Sequence, residues 1–143
     1  MMFKFLKGKN GLKRAYPVRK SVFIDEEGID PSIEIDVYDD IATHLVVYQN
    51  KKPIGTARFF YDGKKYYIGR VAVIKKYRGK RIGKKIMERM IDYAVSKGIN
   101  EIWLHSQTYI KDFYLNLGFE SIGEEFLEAG IPHIAMVWRK KET

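Results

Sequence analysis

Three apolar-rich runs between residues 43 and 75 predict strands. "HLVVYQ" is closed by an "NKKP" turn. "IGTARFFY" leads into Asp62-Gly63, a hairpin signal, and "KYYIGRVAVI" follows. Their order and short turns predict an antiparallel meander. The period then changes. Over 83–97, "GKKIMERMIDYAVSK", the residues Ile86, Met87, Met90, Ile91, Ala94 and Val95 form one helical stripe, and Gly98 supplies a stop. "EIWLHSQ" reads as a buried strand and "IKDFYLNLG" as a short helix ending at Gly118. "FESIGEEF" and "IPHIAMVW" read as two closing strands joined through "LEAG". Upstream, Leu12, Ala15, Tyr16, Arg19, Val22 and Phe23 recur at helical spacing over 12–23, with Pro17 disturbing the first turn. "IDEEGIDPSIEIDVYDD" is predicted to be a loop. The fold class expected is α+β, a mixed sheet with helices on its faces.

Composition narrows the function classes. The 143 residues suit one domain spanning 1–143, and 45% apolar residues suffice for a core. There is no cysteine, which excludes disulfides, thiolate metal sites and a cysteine nucleophile. The three histidines, His44, His105 and His133, lack metal-ligand spacing, so no metal is expected. "MMFKFLKGKNGLKR" does not read as a leader peptide, and no run approaches the roughly 20 apolar residues of a membrane span. A cytoplasmic protein without a membrane partner is expected.

The net charge of +8 is unevenly spread. Residues 25–40 hold eight acids, whereas residues 75–89 hold eight bases and one acid, Glu88. That split suggests an anionic ligand and a cationic one on the same domain.

The basic segment contains "YRGKRIGKK", residues 77–85, between a predicted strand and the best helix. A helix N-terminus exposes unpaired N–H groups and partial positive charge, and glycine lets a phosphate approach the backbone. The Walker spacing fails, because three residues separate Gly79 from Gly83 and Lys85 stands where Ser or Thr is required. The dinucleotide fingerprint also fails, because Lys80 and Arg81 intervene. A basic nucleic-acid-binding face, extended by the C-terminal "RKK", is one remaining reading.

The other is the pattern [Arg/Gln]-x-x-Gly-x-[Gly/Ala], here Arg78-Gly79-Lys80-Arg81-Ile82-Gly83. This segment resembles the pyrophosphate loop of the GNAT superfamily of acyl-CoA-dependent N-acyltransferases. "GRVAV" is similar to that family's fourth strand and "FYLNLGF" to its F-Y-x-x-x-G-F segment. "VFIDEEG", "HLVVY", "GTARF", "LHSQ" and "EEFLEAGIPHIAM" resemble, in order, the ElaA-like branch. Arg81 departs from the usual glycine, Glu27 from a common Gln, and Ser106 from a common Ala.

The resemblance implies a GNAT fold: a mostly antiparallel twisted sheet of six to seven strands with helices on both faces. It implies an N-acetyltransferase moving the acetyl group of acetyl-CoA onto a primary amine by direct attack in a ternary complex. The backbone of Val71, Ala72 and Val73 would pair with the donor's pantetheine arm and polarise its thioester. The N–H groups of Arg78, Gly79, Lys80, Arg81, Ile82, Gly83 and Lys84 would hold the diphosphate. Gln107 would orient backbone or water beside the cofactor.

Tyr114 matches the general acid for the leaving thiolate, a phenol of reference pKa about 10. Glu26, Glu34, Asp36, Glu125 and His133 are the candidates for general base. His133 titrates nearest neutrality, and a carboxylate-bonded edge histidine is its alternative reading. Arg58 and Arg70 either clamp an acceptor anion or pair with acids of the 25–40 block. Glu34, Asp36 and His133 are further acceptor-site candidates, and His44 and His105 are assigned to packing or hydrogen bonding. The expected partners are acetyl-CoA and an amine acceptor without nucleic acid, on a monomer or homodimer. A non-catalytic CoA-binding protein of the same fold is a further alternative.

Overall fold

The computed structural model describes residues 1–141. Strand β1 (Met2–Lys7) leads through Gly8 into α1 (Gly8–Arg19), which continues without a break into a π-helical segment, Lys20–Glu26. Two short turns follow, α2 (Pro31–Glu34) and a 3-10 turn, Val37–Asp40. The meander is β2 (Thr43–Gln49), β3 (Lys52–Tyr61) and β4 (Tyr66–Val73). The long helix α3 (Ile82–Ser96), β5 (Glu101–Gln107), α4 (Lys111–Leu115), β6 (Glu120–Glu128) and β7 (Ile131–Arg139) complete the chain. The seven strands form one sheet in the order β1-β2-β3-β4-β5-β7-β6, antiparallel except where β4 meets β5. The expected fold class therefore holds.

Helices cover both faces. Ile86, Met87, Met90 and Ala94 of α3 are fully buried with Leu45, Ile54, Ala57, Ile102 and Met136 of the sheet. Each large side chain among them contributes on the order of 1.5–3 kcal/mol. On the other face, Val18, Val22 and Phe23 pack with Ala72. Gly11 lets α1 come this close: a Cβ there would stand 2.5 Å from the Leu6 carbonyl oxygen and 2.6 Å from His44 Cδ2.

Two differences from expectation lie at the N-terminal end. Residues 2–7 form an edge strand in full register with β2, from Met2 against Tyr48 to Lys7 against Thr43. The segment 24–40, expected to be loop, is mostly short helical turns closed by its own acids. Asp30 caps Pro31–Glu34 by accepting from the Ser32 N–H at 2.9 Å. Asp36 and Asp39 cap the 3-10 turn reciprocally.

The feature that positions the site is the end of β4. Between Thr56–Ala72 and Arg58–Gly69 in the register, Arg70 and Val71 stand opposite Ala57 alone. Arg70 adopts φ +50°, the left-handed conformation of a β-bulge. Pairing of β4 with β5 is confined to Tyr67 against Trp103. Beyond that point the strands diverge, and the β5 side of Val71, Ala72 and Val73 is left without a strand partner.

Candidate functional site

Two cavities meet where β4 and β5 diverge. One, of about 640 Å³, is lined by Val71, Ala72 and Val73, by the loop after them, and by Phe113, Asn116 and Leu117. The other, of about 500 Å³, lies between the 23–38 segment and the sheet. Val71, Ile110 and Tyr114 line both.

In the first cavity the backbone supplies the free hydrogen-bonding groups. The Arg78 N–H donates to the Lys75 carbonyl at 3.2 Å, and the first bond of α3 runs from the Lys85 N–H to the Arg81 carbonyl at 3.1 Å. Among the described residues, the N–H groups of residues 79–84 have no backbone acceptor. Of the expected set 78–84, the Arg78 N–H is thus engaged within the chain. Gly79 has φ +80° and opens the turn. Arg81 itself lies at φ 61°, ψ 22°, left-handed without being glycine. The Arg78 guanidinium grips Glu26, and its Nε donates to the Val73 carbonyl at 2.9 Å. Lys80 is outside the lining, with its ammonium 5.6 Å from the centre of the Tyr77 ring.

In the second cavity most charge is already matched. Arg19, at 1% exposure, bonds Glu34 at 2.9 Å and Asp39 at 2.6 Å. Arg58 bonds Asp36 at 2.6 and 2.7 Å and Asp39 at 2.8 Å. Arg70 donates twice to the Glu34 carbonyl, at 3.0 and 2.8 Å, and lies 3.1 Å from the Glu34 carboxylate. The pairing of Arg58 and Arg70 with the acidic block is what the structure shows. Burial alone would raise the Asp36 and Asp39 carboxyls. For Asp36 the Arg58 hydrogen bonds and charge outweigh that cost, and for Asp39 the guanidinium groups of Arg19 and Arg58 do. Both are held below the ordinary range.

The remaining polar groups come from three elements. Glu27, at the end of the π-helical segment, accepts from Gln107 Nε2 at 2.8 Å. Burial raises its carboxyl above the ordinary value, and the Gln107 bond offsets this only in part. Gln107, expected beside the cofactor, lines this second cavity instead. His133, 7% exposed, donates from Nδ1 to the Ile131 carbonyl at 2.7 Å, and its Nε2 lies 3.6 Å from Glu128. His105 donates from Nδ1 to the other Glu128 oxygen at 2.8 Å. Glu125 is exposed on β6 and does not line the cavity. His44 is buried against the Asp39 carbonyl.

Tyr114 is the titratable group common to both spaces. It is 6% exposed, and burial pushes its phenol well above the ordinary value, with Tyr109 adding to the shift. It therefore keeps its proton at neutral pH.

Sequence reasoning passed over several lining groups. Tyr38, Phe60 and Tyr67 form a stacked aromatic run, with centroids 4.4 and 5.6 Å apart. Arg19, buried behind the lining, was visible only as a cation at an apolar helical position.

The chain's similarities agree with this geometry. A model of the acetyltransferase (GNAT) domain matches residues 22–140. The uncharacterized N-acetyltransferase YjcF of Bacillus subtilis is 34% identical over 132 residues, covering 92% of this chain and 94% of that one. The crystal structure of Escherichia coli ElaA superposes with a TM-score of 0.87 at 24% identity, covering 97% of this chain and all of that chain. A GNAT family acetyltransferase from Elizabethkingia anophelis, solved with acetyl-CoA bound, superposes with a TM-score of 0.71 at 20% identity, covering 96% of this chain and 97% of that one.

Proposed function

Because the chain belongs to the GNAT acetyltransferase family, we propose that it transfers the acetyl group of acetyl-CoA to a primary amine, by direct attack while both substrates are bound. The observation that carries this reading is the meeting of two cavities at Val71 and Tyr114. Donor and acceptor approach from opposite sides, and no relay through a covalent enzyme intermediate is needed.

The donor side fits a CoA thioester. The free edge of Val71, Ala72 and Val73 accommodates an extended amide-bearing arm as an added strand. The unpaired N–H groups of residues 79–84, at the start of α3, suit a diphosphate. Acetyl-CoA supplies the activated acyl group. The backbone of the β4 bulge polarises its carbonyl.

On the acceptor side the ammonium gives one proton to His133, its nitrogen bonds to the acyl carbon, and that nitrogen releases a second proton to solvent as the amide forms. As the carbon–sulfur bond breaks, Tyr114 gives its proton to the sulfur and is reprotonated from solvent. The raised pKa of Tyr114 is no obstacle, because the thiolate forms in the same dry space and is destabilised by the same burial. His133 is the base retained from the candidates. Glu26, Glu34 and Asp36 are held by arginines, and Glu125 stands outside.

The test is CoA release from acetyl-CoA across a panel of amines, with Tyr114→Phe as the control. Turnover is expected with at least one amine. The variant is expected to lose about 10²–10⁴-fold in kcat while its acetyl-CoA affinity holds. Unchanged turnover in the variant would remove Tyr114 as the acid, and no turnover on any amine would count against the transferase reading.

A further inference from the structure

One half-buried carboxylate of the acceptor cavity has neither an arginine nor a histidine partner among the described residues. The cavity's acids are Glu27, Glu34, Asp36, Asp62 and Glu128. Glu34 and Asp36 are bonded to guanidinium groups, and Glu128 is shared by two histidines. Asp62 accepts from the Lys64 and Lys65 N–H groups in its own turn. Glu27 is half-buried, and among the described residues its one side-chain partner is the Gln107 amide. Glu26 next to it points the other way, to Arg78.

The position of Glu27 is costly for stability. It caps the C-terminal end of the α1–π helix, where the helix dipole already places partial negative charge. A carboxylate held there half-buried, without a cation, raises the free energy of the protein unless something that binds offsets it.

The surroundings define the complement. Phe23, Ile29, Ile33, Phe60 and Ile110 give the cavity apolar walls. Both arginines that reach it are paired with acids, so neither guanidinium is left over for an anion.

From this we infer that Glu27 is the docking carboxylate for the acceptor's ammonium, held in place by Gln107, and that the acceptor class is an alkylammonium on an apolar or aromatic body without a carboxylate beside the amine. The inference rests on the acceptor side lying in this cavity, and it names a charge selectivity that the transfer reaction alone does not require. His133 faces the same space and receives the proton after docking.

Binding can be read without turnover, which separates this inference from the transferase reading. Protein saturated with free CoA is titrated calorimetrically with 2-phenylethylamine, with 2-phenylethanol and with phenylalanine. The wild type is expected to prefer the amine over the alcohol by about tenfold or more, the range of a charge-assisted hydrogen bond. It is expected to bind phenylalanine more weakly than the amine. Glu27→Gln keeps the size of the side chain and should bring the amine to within about twofold of the alcohol. Glu27→Asp keeps the charge and should retain a measurable preference, which covers the case of a Gln variant that folds poorly. Equal binding of amine and alcohol by the wild type would overturn the inference. So would phenylalanine binding as tightly as the amine, a preference that survives in Glu27→Gln, or no detectable binding of any probe.

Discussion

Arg81 holds a conformation that costs a side-chain-bearing residue about 1–2 kcal/mol, at the turn from which α3 starts. Glycine would relieve that strain and lose about 0.5–1 kcal/mol to unfolded-state entropy. Arg81→Gly is therefore expected to gain up to about 1 kcal/mol in a denaturation experiment. Acetyl-CoA affinity should be unchanged if, as proposed, the ligating groups there are N–H groups. A loss of affinity would assign the Arg81 side chain to the phosphates. This anomaly was legible in the sequence, because the loop pattern marks the position as one that glycine usually holds. Arg70 carries the same backbone signature without any local sequence cue, since the bulge exists only once β3 and β4 are in register. Tyr114 was legible from its motif. Gln107 was legible as a site residue, but its partner Glu27 lies 80 residues away, a separation that spacing rules do not bridge.

Among the elements, α1 is tied down by one buried cation. Arg19 joins α1 to α2 and to the 3-10 turn through Glu34 and Asp39, both within 1% of full burial. Arg19→Met strands part of two buried negative charges and is expected to cost about 3–5 kcal/mol, read as a lower urea midpoint. Lys20→Ala breaks only the exposed pair with Asp25 and is expected to stay within about 0.5 kcal/mol of wild type. If the two variants unfold alike, the buried cluster does not anchor α1. The meander and α3 could be read directly, since they carry turn pairs and an apolar stripe. β1 could not. It is an edge strand with most side chains exposed, so burial leaves little mark on its residue pattern. The 24–40 segment did carry signals, an Asp-Pro start and a reciprocal Asp pair, but its acids obscured them by reading as a solvated run.

Taken as a whole, the protein concentrates its electrostatic stability in one place. Asp36 and Asp39 have folded-state pKa values depressed below their unfolded ones. Their contribution is fully present above the unfolded aspartate value of about 3.9 and is lost as pH falls below it. The thermal midpoint should accordingly owe little of its pH dependence to this cluster between pH 5.5 and 7, and should fall steeply below about pH 4. A melting series across that range checks this. A midpoint that stays level through pH 3 would mean that the cluster adds nothing to folding. The sheet order and the two-faced cover of helices followed from element order and family resemblance together. The separation of the two cavities did not, because it depends on where β4 parts from β5.

The segment Lys20–Glu26 closes its turns with one residue more than an α-helix uses. At 3.6 residues per α-helical turn, one residue is worth about 100° of rotation. Glu26 and Glu27 point different ways from adjacent positions, one bracing the loop before α3 through Arg78 and the other facing the second cavity. For heredity this turn works as a frame. A point substitution changes what one of these acids is, whereas loss or gain of a single residue upstream changes where both of them look. If Glu27 docks the acceptor as proposed, a one-residue gap in this stretch of a relative would mark a change of acceptor more clearly than several substitutions elsewhere.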